Sequence, residues 1–145
     1  MISALTDLTV PESMPNDIPS MAQDYGTILD NYAKTIIPAI VPGSNEPAKA
    51  AFIASMNGVS TSAANFIPVF TSSLTTYAAT LGLGMLPLFT AVAPPVPIVI
   101  AALVPSGLAG ATGAQQAQLL GTLIDAWFRT GTAVNNSSGV VVPWS

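Results

Sequence analysis

Residues 62–81, SAANFIPVFTSSLTTYAATL, decide the fold. Ala63, Phe66, Ile67, Phe70, Leu74, Tyr77, Ala78 and Leu81 recur at steps of three and four, which places them on one face of a helix. Ser62, Asn65, Ser72, Ser73 and Thr76 cover the remainder without a single charge. Pro68 is expected to kink or delay this helix, because it lacks an amide donor and crowds the preceding turn.

Toward the N-terminus, Met21, Tyr25, Ile28, Leu29, Tyr32 and Ile36 repeat the same spacing and predict a helix over 20–37. Ser20 reads as its N-cap, with Gln23 at the capping-box position. Pro38 and Pro42-Gly43 end it. A further helix is expected from Ser44-Asn45 to Asn57-Gly58, with Pro47 in its first turn and Ala48, Phe52, Ile53 and Met56 as its stripe. Residues 1–19 read as an extended arm, since Pro11, Pro15 and Pro19 each bar the residue before them from helix.

Toward the C-terminus the pattern weakens. LGLGMLPLFTAVAPPVPIVIAALVPSGLAG (81–110) is apolar but broken by Pro87, Pro94, Pro95, Pro97 and Pro105. A loop or extended segment is expected through 86–97 and a short apolar element at 98–104. A last helix is predicted from Thr112 to Thr130 on the seam Leu119, Leu120, Leu123, Ile124, Trp127 and Phe128, with Gly131 as a left-handed cap. Asp125 and Arg129 lie four apart on its other side. Asn135 to Gly139 is a turn, and Val140 to Trp144 a strand-like end. The chain shows no internal repeat. The fold class is mainly α: about four helices in a small bundle, with extended Pro-rich arms and a short strand-like tail. Its parts are an arm (1–19), a helical domain (20–130) with an apolar Pro-rich segment at 82–105, and a tail (131–145).

The charge count narrows the function. The 145 residues hold 3 bases and 7 acids, so 7% of the chain is charged and the net charge is −4. Soluble domains carry about 25%. Three bases cannot neutralise a run of phosphates, which excludes nucleic acid as a partner. With no Cys there is no disulfide or thiolate chemistry, and with no His the usual general base and most zinc sites go too. No nucleotide-binding or nucleophile-elbow motif occurs. Asp24 and Asp30 would face different ways on a helix, and Glu12 and Asp17 lack any calcium-loop spacing, so the acids read as solvated charges. The expectation is therefore no enzyme, catalytic residue, cofactor, metal or small-molecule substrate. With no basic n-region before Lys34, the chain is expected to be used without general secretion. The Asn135-Asn136-Ser137-Ser138 sequons read as turn residues.

From Ala50 through Ile124 no residue is charged. One reading is a surface covered by neighbouring subunits, since permanent interfaces resemble a core cut in half and are depleted in charge. The other is a membrane span over 81–104, long enough to cross a bilayer. Against the span stand four prolines, at 87, 94, 95 and 97, and the lack of flanking bases. The interface reading makes Pro11 and Pro15 in the arm, Asp125, Trp127, Phe128 and Arg129 on the last helix, and Val141 and Trp144 in the tail the candidate contact residues. Trp127 and Phe128 suit the chain's own core equally well.

The C-terminal run LLGTLIDAWFRTGTAVNNSSGVVVPWS resembles the ending of many small virion structural proteins of tailed bacteriophages: an amphipathic Ile-Asp-x-aromatic helix, then Thr-Gly-Thr and a Val-rich end. The resemblance covers about the last 27 residues. It implies assembly inside a virion through contacts with copies of itself and other virion proteins, in the tail, baseplate or neck. Within the class the alternative is a capsid cement or decoration protein; across classes it is a small holin-like membrane protein using 81–104. Under the assembly reading, the 1–19 arm and the 139–145 tail are expected to clasp adjacent chains.

Overall fold

A computed structural model describes residues 1–7, 17–36, 45–58, 63–97 and 112–144. The fold is mainly α, with a small antiparallel sheet toward the C-terminus. In chain order come α1 (Ile2–Asp7), α2 (Ile18–Ile36), α3 (Glu46–Asn57), α4 (Ala63–Leu83), β1 (Phe89–Val92), α5 (Gly113–Phe128), β2 (Thr132–Asn135) and β3 (Val141–Pro143).

α2, α3 and α4 pack in sequence, and α1 lies against α5. The apolar stripe of α4 is buried as its spacing requires: Phe70, Leu74, Tyr77, Ala78 and Leu81 all face the core. Edge-to-face rings join the elements, from Tyr25 (α2) to Phe70 (α4), Phe52 (α3), Tyr77 (α4) and Phe128 (α5), with successive centroids 5.3 to 6.4 Å apart. Trp144 stands beyond Phe128 at 6.2 Å. Such pairs add about 0.5–1.5 kcal/mol each beyond the area they bury.

The sheet has the order β1-β2-β3, with α5 between β1 and β2 in the chain. Thr90 opposes Val134 and Val92 opposes Thr132, while Ala133 opposes Val142. The β2–β3 hairpin turns on Asn135, whose side-chain carbonyl accepts from the amides of Ser137 and Ser138 at 2.9 and 3.0 Å. Gly139, at φ +70°, completes the turn.

Several expectations need correction. Residues 2–7 are helical, not an extended arm, and pack on α5 of the same chain. No proline falls among them, so nothing opposes the helix, and Thr6 bonds back to the Ile2 carbonyl. α2 begins at Ile18, and its cap is Asp17, whose carboxylate accepts from the Ser20 amide at 2.7 Å; Ser20 lies inside the first turn. Pro68 does not delay α4, which already runs from Ala63. Gly131 is not a left-handed cap, since among the described residues only Gly139 has positive φ. The α5 cap at its other end is the full Thr112–Gln115 box.

Residues 81–97, the described part of the stretch 81–104, do not form a membrane-spanning helix. α4 ends at Leu83, a turn occupies 84–88, and β1 and an extended segment follow to Pro97. The prolines account for this, and Trp127 pins the segment by donating its indole N–H to the Pro95 carbonyl at 2.6 Å. α4 itself holds one window, Phe66–Leu83, long and apolar enough to cross a membrane, with 44% of it buried within the fold. The expected element at 98–104 lies outside the described residues.

Candidate interaction surface

The surface of interest is built where α4 runs into the sheet. Antiparallel pairing sends alternate side chains to opposite faces. Phe89, Ala91, Ala133 and Val142 turn toward the core, and Trp144 continues that row. The opposite face carries Thr90 and Val92 from β1, Thr132 and Val134 from β2, and Val141 and Pro143 from β3, all uncharged. Among the described residues, seven of the eight large hydrophobic side chains left exposed cluster here: Leu83, Leu86, Leu88, Val92, Val96, Val140 and Val141. Leu83 is 69% and Val92 61% exposed. Between α4 and β1 runs a groove of about 130 Å³ lined by Ala79, Gly82, Leu83, Leu86, Thr90, Ala91 and Ala93.

Charge is segregated away from this end. The described acids and bases, Asp7, Asp17, Asp24, Asp30, Lys34, Glu46, Lys49, Asp125 and Arg129, belong to α1, α2, α3 and α5 or their caps. None belongs to α4 or a strand. The hydroxyls of α4 also ask little of water. Thr71, Thr75, Thr76 and Thr80 each donate back to a carbonyl four residues earlier, at 2.7 to 3.1 Å. Each bond leaves less of the hydroxyl for solvent.

The predicted contact residues divide. Trp127, Phe128 and Trp144 are buried in the chain's own core, and Trp144 also donates its indole N–H to the Thr132 carbonyl at 3.1 Å. They are core fillers, not exposed anchors. The tail is likewise no clasp on a neighbour, because β3 pairs with β2 and ends in buried Trp144. Asp125 accepts from the Tyr32 hydroxyl of α2 and from Arg129 Nε, at 3.0 Å to both of its oxygens. That pairing raises the guanidinium pKa of Arg129, which stays exposed. Val141 is exposed on the outer sheet face. Pro11 and Pro15 lie outside the described residues.

Sequence reasoning missed two features. The first is the exposed set from Leu83 to Val96, since the broken pattern predicts only a loop or extended segment through 86–97 and gives no strand faces to assign. The second is Asp30, which is buried rather than solvated and accepts from Lys34 Nζ at 2.7 Å and from the Asn45 side-chain amide. The bond to Asp30 raises the Lys34 pKa. Nearby, the Tyr77 hydroxyl is buried without a hydrogen-bond partner among the described residues, and burial together with Asp30 and Glu46 pushes its pKa up. Among the described residues no group of three or more Asp and Glu gathers as a metal site would need. Compared with protein-family models, curated proteins and solved structures, the chain matches none.

Proposed function

We propose that the chain is a structural component of a tailed-bacteriophage virion, in the tail, baseplate or neck, and that it works by packing between subunits. The observation that carries the packing half is the uncharged sheet end with its exposed Leu83, Leu86, Leu88, Val92, Val96, Val140 and Val141. Exposed apolar side chains gathered at one uncharged end of a fold mark interaction sites, because hydrating them carries a free-energy penalty that a partner relieves. Burial returns about 25 cal/mol for each Å² covered. The virion half rests on the resemblance of the C-terminal run, now seen as the end of α5, β2 and β3.

Mechanism here is geometric. The charged helices α2 and α3 face water and keep the subunit soluble during assembly. The neutral sheet end is withdrawn from water once neighbours arrive. Mass spectrometry of purified particles tests the assignment: peptides of this chain at stoichiometric abundance support it, and their absence from intact particles refutes it.

A further inference from the structure

The edge of β1 has the geometry of a self-complementary interface. The amide of Asn136 bonds the Leu88 carbonyl at 3.0 Å, so in this register Leu88, Thr90 and Val92 direct their backbone groups toward β2. Phe89, Ala91 and Ala93 therefore direct theirs outward. The Phe89 amide is taken by the Met85 carbonyl at 3.0 Å. Left without a partner among the described residues are the carbonyls of Phe89, Ala91 and Ala93 and the amides of Ala91 and Ala93. Ala93 precedes Pro94, which holds it out of the helical region and in line with the strand.

The other edge is blunted. In β3 the outward positions are Val141 and Pro143, and Pro143 has no amide to give. β1 has no proline, no charge and no lysine to discourage pairing, the usual guards of an exposed edge.

We infer that a second copy of this chain pairs with the open edge of β1, antiparallel and two-fold symmetric about Ala91. In that register the Ala91 amide meets the partner's Ala91 carbonyl, and the Ala93 amide meets the partner's Phe89 carbonyl, each bond repeated by symmetry. This register pairs both free amides and the Phe89 and Ala91 carbonyls of each copy, and leaves over only the Ala93 carbonyl, because the Phe89 amide opposite it is held by Met85. Thr90 and the partner's Val92 become cross-strand neighbours on the outer face, and the groove beside Leu83 and Leu86 is roofed over. Electrostatics does not oppose a second copy: each chain carries −4, yet none of the described charges lies on the strands that would pair. The inference rests on the packing role proposed above and names the partner for that surface.

The chain has no cysteine, which makes a cross-linking test clean. A Thr90→Cys chain mixed with a Val92→Cys chain under mild oxidation is expected to give a disulfide-linked heterodimer, joined by Cβ atoms that face each other across the seam. Neither variant alone should cross-link comparably. Ala91→Pro should weaken the dimer by at least about tenfold, through lost backbone bonds. Val92→Lys, which leaves the backbone donors intact and adds a charge to the seam, should also weaken it. Gln118→Lys, at an exposed position of α5 away from the sheet, should leave the dimer unchanged. Oligomers that form without the mixed cross-link and ignore Ala91→Pro and Val92→Lys would overturn the edge pairing while leaving the packing role standing. A chain that stays monomeric throughout would overturn both.

Discussion

A β-carbon on Gly131 would stand 2.6 Å from Cδ2 and 2.9 Å from Cγ of Trp144, closer than carbon atoms pack. The indole lies over Gly131, and the pair is tied further by the Trp144 amide bonding the Gly131 carbonyl at 3.0 Å. Gly131 is thus a glycine for reasons of space, not of backbone angle. Pro94 Cδ, 3.0 Å from the same point, closes the remaining escape.

Gly131→Ala should therefore destabilise the fold by about 1–3 kcal/mol, as overpacking does. Trp144→Ala should cost about 3–5 kcal/mol, since it empties a large core site. The two act on one contact, so the double variant should lose less than the sum. Urea denaturation of the four proteins gives the comparison.

Tyr77 offers the opposite sign. Its ring is fully buried, but its hydroxyl is desolvated with no partner among the described residues. Tyr77→Phe keeps the contacts with Phe52 and Phe128 and removes the orphan group. Thermal unfolding should show the variant unchanged or more stable by up to about 1 kcal/mol, because an unsatisfied buried donor costs more than a missing one. A clear loss of stability would mean that the hydroxyl has a partner.

Asp17 should make α2 sensitive to acid. The Ser20 hydrogen bonds hold its carboxyl below the ordinary value of 3.8. A group with a depressed folded-state pKa contributes stability that is complete above its unfolded value and fades as pH falls through the folded one. Asp17→Asn should keep the cap at every pH, since Asn caps as well as Asp, and should flatten this part of the acid transition. Asp17→Ala should lower the melting temperature at neutral pH, and the gap to the parent should close as pH falls through the depressed folded-state value of Asp17. Melting curves between pH 2 and 7 check both.

How much of this was legible in the sequence depends on the length of each element. α2, α3, α4 and α5 are each more than three turns long and repeat their apolar stripe along them, so the period shows through, and Thr112–Gln115 marks the start of α5. α1 has six residues, too few for a period, and exists because α5 offers it a surface. β1 and β2 are four residues each and rich in Ala and Thr, so their alternation is faint. Pairing between them crosses more than forty positions of chain, which local pattern cannot reveal. The burial of Asp30 follows from Asn45 meeting it across two helices, again a tertiary fact. Trp127 and Trp144 carry the side chain favoured by both cores and interfaces, so identity alone left their place open.

The central claim is that the uncharged sheet end is covered by other subunits. Sedimentation equilibrium of the intact chain, from micromolar to millimolar concentration, tests it most directly. The account predicts a mass that climbs from 14.7 kDa to a multiple of it. A single 14.7 kDa species across the whole range, with Val92 and Val141 still open to solvent, would contradict it.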